Sequence, residues 1–342
     1  MLSDTEQYGH QSHARSQERH QLGGFIGSSL PMRIAYDELE RIAAVDDTVL
    51  VLGESGTGKE LAARAVHDLS ARASDPFVIV DCAATSIANF ERDLFGAYAR
   101  DDEMGQSREG LVALAAGGSL FLNEVSELDY ASQSLLLRFI DSGVFRCVGA
   151  TEESAVDVRI IASSRRDLSE EVKAGRLRED LYYRLHVLQI RLPPLREILD
   201  DIPHITSAVL DRLAAETGRP FDGLTYDAEA QLLSYDWPGN VRQLQSVLRW
   251  VTAMTVGSEI SADVVMKAIA QFDGRSEVAS PAETDFVDSG ARTSGVKPLW
   301  LVEKEVIQHA IDVSGGNINR AAALLEVAPS TIYRKVQGWK HG

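Results

Sequence analysis

Along the first half of the chain, short runs of consecutive apolar residues alternate with longer stretches whose apolar positions recur every three or four residues. The runs "TVLVLG", "PFVIVDC", "GSLFLNE" and "VDVRIIASS" read as buried strands, and the stretch through "GKELAARAVHDLSARA" reads as an amphipathic helix. Strands buried on both sides and separated by helices predict an α/β unit: a largely parallel sheet with helices on both faces. From Pro193 the strands stop and helical periodicity takes over, through "DDIPHITSAVLDRLAAETG" and "VRQLQSVLRWVTAM". The pattern therefore predicts a polar, disordered leader over 1–22, an α/β unit over 23–192 and a helical unit over 193–272. A linker rich in Gly, Ser and acidic residues follows over 273–296, and then a compact all-α tail over 297–342.

In the tail, Leu299, Val302, Val306, Ile307 and Ala310 make one apolar stripe. "SGGN" breaks that helix, Asn317 caps the next, and a short turn leads to Pro329 at the first position of a final helix. Two helices and a tight turn of this size fit helix-turn-helix geometry. The second helix presents Ser330, Thr331, Tyr333, Arg334 and Lys335, with Arg320 on the helix before it.

Composition narrows the possibilities. The chain has 342 residues, 44% hydrophobic, enough for a sizeable core and two or three folding units. No apolar run approaches the roughly 18 residues a membrane span needs, and the N-terminus lacks the apolar core of a signal peptide, so a cytoplasmic protein is expected. Two cysteines, Cys82 and Cys147, are too few for a disulfide framework and lack metal-ligand spacing. His10, His13 and His20 read as part of a solvated tail. A net charge of -17 argues against whole-surface attraction to nucleic acid, so any DNA contact must be local. The segment from residue 297 onward supplies one, with six Lys or Arg against four Asp or Glu.

The strongest chemical signal is "GESGTGKE", Gly53, Glu54, Ser55, Gly56, Thr57, Gly58, Lys59 and Glu60, which follows an apolar strand and opens a helix. Glycines let backbone N–H groups turn inward around phosphate oxygens, the helix N-terminus adds its dipole, and Lys59 supplies a positive charge. Glu60 stands where a Ser or Thr usually touches magnesium.

This loop occurs in one order with "DLFG", "GGSLFLNE", "LREDLYYRL", "LPPLRE" and "WPGNVRQL", from about Gly27 to Val251. Together they resemble the AAA+ module of bacterial enhancer-binding proteins, which activate sigma-54 RNA polymerase. The tail, through "GGNINRAAALLE" and "STIYRK", resembles the Fis-type DNA-binding domain such proteins carry. The resemblance implies an AAA+ P-loop fold with a helical lid, ATP and Mg2+ as cofactors, and a subunit ring with nucleotide between neighbours. It places Arg178 and Arg184 as arginines reaching a neighbour's nucleotide and Arg242 as the lid's sensor arginine, with Asn240 as the cap of its helix. No separate sensory or receiver domain fits ahead of the first motif.

Four departures from the family pattern fall on function. A strand of this type ends in Asp-Glu, one carboxylate for the magnesium shell and one for the attacking water. Here the pair is Asn123 and Glu124, and an amide can bond a metal-bound water but brings no negative charge. The preceding strand ends in Asp81 where the family has Asn, so the two residue types stand exchanged. Asp81 either replaces the missing carboxylate or repels Glu124 and weakens the base, and impairment is the expected outcome. The sigma-54-gripping signature GAFTGA is replaced by "AYARDDEM", whose acidic tip is unsuited to apolar docking. Ser164 and Arg165 stand where the family has Thr-Asn. The expectation is a transcriptional regulator that binds double-stranded DNA and ATP, with hydrolysis and sigma-54 contact impaired. It works as a homo-oligomer, dimer to hexamer, or a hetero-oligomer with a related regulator, and has no membrane partner. The alternative is an active ATPase that remodels sigma-54 RNA polymerase.

Overall fold

The computed structural model describes residues 21–84, 87–98, 108–255 and 257–273. All of them belong to the first of two compact units, Met1–Glu277 and Val278–Gly342. Residues 1–20 of the predicted leader, the acidic loop 99–107 and the DNA-binding candidates Arg320, Ser330, Thr331, Tyr333, Arg334 and Lys335 lie outside the described residues, whereas Gln21–Leu22, expected to end that leader, pairs antiparallel with Phe25–Ile26.

Five parallel strands form the central sheet: β1 (Val49–Leu52), β2 (Phe77–Asp81), β3 (Ser119–Asn123), β4 (Arg159–Ser164) and β5 (Leu188–Arg191), in the order β5-β1-β4-β3-β2. Side chains alternate along each strand, and β1, β3 and β4 are buried on both faces, which explains their continuous apolar runs. Val49, Val51, Phe121, Ile161 and Ile190 enter one core, together with α1 (Leu30–Ala43) and α2 (Lys59–Asp68). Leu50, Leu52, Leu120, Leu122 and Ala162 enter the other, against α3 (Ile87–Phe95) and α4 (Tyr130–Ser142). Two short helices, α5 (Leu168–Lys173) and α6 (Glu179–Leu185), close that second layer.

The first core runs on without a break into the lid, made of α7 (Ile202–Thr217), α8 (Tyr226–Ser234), α9 (Asn240–Met254) and α10 (Ala262–Phe272). Its anchor is Trp237, wholly buried at a backbone φ of 51°, whose indole N–H donates to Leu232 O at 2.8 Å.

Three local expectations are corrected. The helix expected to run to Ala73 ends at Asp68, because the Ser70 hydroxyl donates to His67 O at 2.7 Å and accepts from the Arg72 N–H at 3.1 Å, which turns the chain. Strand β5 carries no strong apolar run, since "LQIR" alternates; it is an edge strand paired on one side, to β1. The lid is not purely helical: Gly223–Leu224 pairs in parallel with Glu259–Ile260.

The end of the sheet away from the strand C-termini is fixed by two arginines. Arg159, 3% exposed, donates to the carbonyls of Ile42, Ala43 and Asp47, so its burial is matched by acceptors at the end of α1. Arg72 bridges Asp46 and Asp157 at 2.7 and 2.9 Å. The opposite edge, where Gly53, Asp81, Glu124 and Arg165 stand at or just after the ends of β1 to β4, is left for chemistry. Among the described residues no helix is long and apolar enough to cross a membrane.

Candidate nucleotide site

Strand β1 runs out at Leu52 and the chain turns through Gly53 to Gly58 before α2 begins at Lys59. Two glycines make that turn possible. Gly56 has φ +81°, and a Cβ there would stand 2.2 Å from Gly239 O of the lid; Gly58, at φ +95°, is the left-handed N-cap of α2. Lys59, 7% exposed, donates to Gly53 O at 2.9 Å and Glu54 O at 3.1 Å, and pairs with Glu124 Oε1 at 2.9 Å. Thr57 donates to Glu54 O at 2.9 Å, which tightens the loop, whereas Glu60 is exposed. The buried ammonium is thus matched by carbonyls and one carboxylate.

The end of β3 is arranged by its neighbours. Glu124 breaks the strand with a left-handed φ of 58°, and its Oε2 accepts the Arg165 N–H at 2.9 Å. Its own N–H donates to Ser163 Oγ at 3.0 Å, and that hydroxyl donates to Asn123 Oδ1 at 2.9 Å. The relay ties the end of β3 to β4 through Ser163 and leaves the second lone pair of Asn123 Oδ1 able to accept.

Asp81 is the direct register partner of Asn123 across β2 and β3, and its Oδ1 accepts the Ala83 N–H at 3.1 Å. Between these groups the buried Cys82 thiol is pushed up to about 12, by loss of water first and by the charges of Asp81 and Glu124 second.

The lid meets the loop through side chains. Glu54 receives both Nη atoms of Arg196, at 2.7 and 2.9 Å, and Asn240 Nδ2 at 3.1 Å. Asn240 also donates to Ser55 O at 3.0 Å and accepts the Leu195 N–H at 2.7 Å. It is therefore not the cap of α9. That place belongs to Gly239, with no side-chain cap, and Asn240 is a wholly buried tie at φ 50°. Arg242, two residues on, reaches Ser55 Oγ at 3.2 Å. The arginine pair of α6 lies elsewhere. Arg178 is held by Asp180 at 2.8 and 3.0 Å, by Ser134 at 3.0 Å and beside the Tyr130 ring, while Arg184 pairs with Asp141.

Sequence reasoning missed Arg196, Ser163 and Asp201. Buried Asp201 accepts the N–H groups of Ser28 and Ser29 at 2.7 and 2.9 Å, which pins the segment around Phe25 against the lid. A cavity of about 540 Å³ results, walled by Phe25, Ile26, Met32, Ile205 and Val209 and opening on Gly56 to Gly58 and Arg242. An apolar slot beside a loop of backbone N–H groups fits a purine base joined to phosphates.

Residues 25–191 match the family described as the Sigma-54 interaction domain, 196–281 the AAA+ ATPase lid domain, and 298–339 the bacterial regulatory proteins of the Fis family. The chain is 43% identical over 318 residues to the luminescence regulatory protein LuxO of Vibrio campbellii, covering 92% of this chain and 69% of that protein. It is 40% identical over 317 residues to the transcriptional regulatory protein ZraR of Salmonella typhimurium, covering 92% and 68%. Its fold matches NtrX of Brucella abortus solved in complex with ATP, at TM-score 0.68 and 30% identity, over 97% of this chain and 73% of that one; the ADP complex of the same protein gives 0.69 at 29% identity. An AAA+ unit with its lid and a Fis-type tail, in one order and at this identity, mean that the chain belongs to the bacterial enhancer-binding family of sigma-54-interacting transcriptional regulators.

Proposed function

We propose that the chain is a sequence-specific DNA-binding regulator that binds ATP with magnesium, turns it over slowly, and acts in the cytoplasm as an oligomer with impaired sigma-54 contact. The observation that carries the reading is the neutral Asn123 at the end of β3, tied through Ser163 to the Glu124 N–H. Water bound to a divalent cation points its hydrogens away from the metal and needs an acceptor. The neutral amide of Asn123 offers an acceptor at that place but no negative charge, where a carboxylate would bring both.

When bound, Mg-ATP supplies the phosphoryl group and the cation that neutralises it. The protein's share is to hold and orient. Lys59 and the loop N–H groups cradle phosphates, the cavity around Phe25 takes the base, and Arg242 reaches in from the lid. Glu124 is the carboxylate able to accept a proton from water, and Lys59 and the Arg165 N–H hold both its oxygens. Arg178 and Arg184 serve a neighbouring subunit, of this chain or of a related regulator. Arg320, Ser330, Thr331, Tyr333, Arg334 and Lys335 serve double-stranded DNA.

A second reading, an active ATPase that remodels sigma-54 RNA polymerase, has one observation in its favour: Asp81 stands in direct register with Asn123. Steady-state hydrolysis with magnesium separates the two. The wild type is expected to bind ATP yet turn over at background, and Asp81→Asn/Asn123→Asp to raise turnover about a hundredfold, the scale of one well-placed electrostatic group. Brisk hydrolysis by the wild type, lowered by Asp81→Asn alone, would sink the first reading and establish the second.

A further inference from the structure

The motif "LPPLRE" lies at the start of the lid, Leu192–Glu197. Its Arg196 makes a two-pronged ion pair with Glu54, the second residue of the phosphate loop, at 2.7 and 2.9 Å. That geometry uses the fixed fork of a guanidinium and defines orientation as well as distance. Asn240 shares the Glu54 carboxylate at 3.1 Å, holds the loop carbonyl of Ser55 at 3.0 Å and receives the Leu195 N–H at 2.7 Å. Three segments, the loop, the start of the lid and the start of α9, thus meet on one carboxylate and one amide. Asn240 adopts a left-handed φ of 50° with no exposed surface, a conformation that persists only where its surroundings hold it. Gly239 O stands 2.2 Å from where a Cβ on Gly56 would lie, so loop and lid are already at their closest approach. The Arg196 hydrogen bond, ahead of all else, keeps the Glu54 carboxyl below its usual range.

We propose that Glu54, Arg196 and Asn240 form a clasp that fixes the lid on the phosphate loop and so places Arg242 at the nucleotide, making Arg196 and Asn240 positioning residues for the site. The inference rests on the ATP-binding reading above. Arg242 lies two residues beyond Asn240 on the first turn of α9, and its Nη1 is already 3.2 Å from Ser55 Oγ of the same loop. A lid freed from Glu54 carries Arg242 away with it. Neither Arg196 nor Asn240 need touch ATP for this effect.

The test is a double-mutant cycle on the full chain, read by ATP affinity, with Arg196→Gln, Arg242→Ala and both together. If the clasp places Arg242, Arg196→Gln weakens ATP binding about tenfold, an ordinary size for coupling between two groups of one protein. Arg242→Ala then adds little in that background. The reversed pair Glu54→Arg/Arg196→Glu regains part of the affinity lost by Arg196→Glu alone, which a loss of folding would not permit. Additive effects, or an Arg196→Gln chain that binds ATP like the wild type, overturn the proposal. Amide hydrogen exchange on the nucleotide-free protein supplies a readout independent of ligand. Arg196→Gln is expected to speed exchange at the Leu195 N–H, and unchanged protection there counts equally against the clasp. Failure of the wild-type chain to bind ATP at all would overturn the nucleotide reading itself, and the exchange measurement would still decide whether the clasp holds the lid.

Discussion

At the scale of single residues, the site is a set of charges and dipoles each matched to a neighbour. Lys59 shows what the matching implies, because it holds two loop carbonyls and Glu124 together. Lys59→Ala is therefore expected to do more than remove a phosphate contact: it leaves Glu124, 18% exposed, without its cation and releases the loop. ATP binding measured by fluorescence of a labelled analogue should be lost, and retention of affinity within the experimental error would contradict the assigned cradle. Gly56→Ala tests the same loop sterically. Its added methyl would meet Gly239 O at 2.2 Å from a backbone of φ +81°, so the loop must part from the lid, and both melting temperature and ATP affinity should fall. Of these residues the sequence made Lys59, the glycines, Glu124 and Asn123 legible, since a phosphate loop and the end of a neighbouring strand carry fixed spacings. Ser163 was not legible. A serine in an apolar strand has no pattern of its own, and its meaning comes from being one strand away from Asn123 across β4 and β3.

At the scale of elements, four of the five strands were readable as continuous apolar runs, and three of those four are buried on both faces. Strand β5 escaped because its residues alternate and "LQIR" lacks a distinctive run, whereas β2, the other edge strand, keeps an apolar one. The turn before α9 was misread because "WPGN" has the outline of a helix entry, whereas its Trp237 and Asn240 both take positive φ and point inward. Trp237→Ala should destabilise the unit by about 3–5 kcal/mol, as expected for deleting a wholly buried indole. Chemical denaturation checks this, and a loss below about 1 kcal/mol would mean that the lid core does not depend on it. Helix α2 carries a pH dependence. His67, 2% exposed, shares a proton with Ser119 Oγ at 2.9 Å and packs its ring 5.2 Å from that of Phe77. Burial, as the leading cause, holds its pKa below the ordinary value, with Arg64 assisting and Asp68 and Asp75 opposing. A folded pKa below the unfolded one means the unfolded chain takes up the proton first as pH falls. Stability from this group is therefore complete above about pH 6.5 and declines below it. Denaturation midpoints at pH 7.5 and 5.5 should converge between wild type and His67→Gln as pH drops, and parallel curves would remove His67 from the account.

At the scale of the whole molecule, charge is divided between the two units. The chain carries -17 in all, yet from residue 297 onward Lys and Arg outnumber Asp and Glu by six to four. The segment 298–339 that matches the Fis family lies inside this less acidic stretch. DNA affinity must then come from few phosphate contacts at the tail, working against repulsion from the acidic body. Two measurable consequences follow from that balance. Residues 1–277, which hold the entire AAA+ core and lid, should bind ATP as the full chain does and lose DNA binding outright. In the full chain, the logarithm of the binding constant should fall linearly with the logarithm of salt concentration. Arg334→Ala or Lys335→Ala should each lower that slope by about 1 if the residue neutralises one phosphate. Tyr333→Ala and Thr331→Ala should leave the slope in place and flatten the preference between sites instead, because base-edge contacts carry sequence and phosphate contacts carry salt dependence. A salt slope that persists in the 1–277 fragment would move the DNA surface onto the acidic unit and would refute the assignment of recognition to the tail.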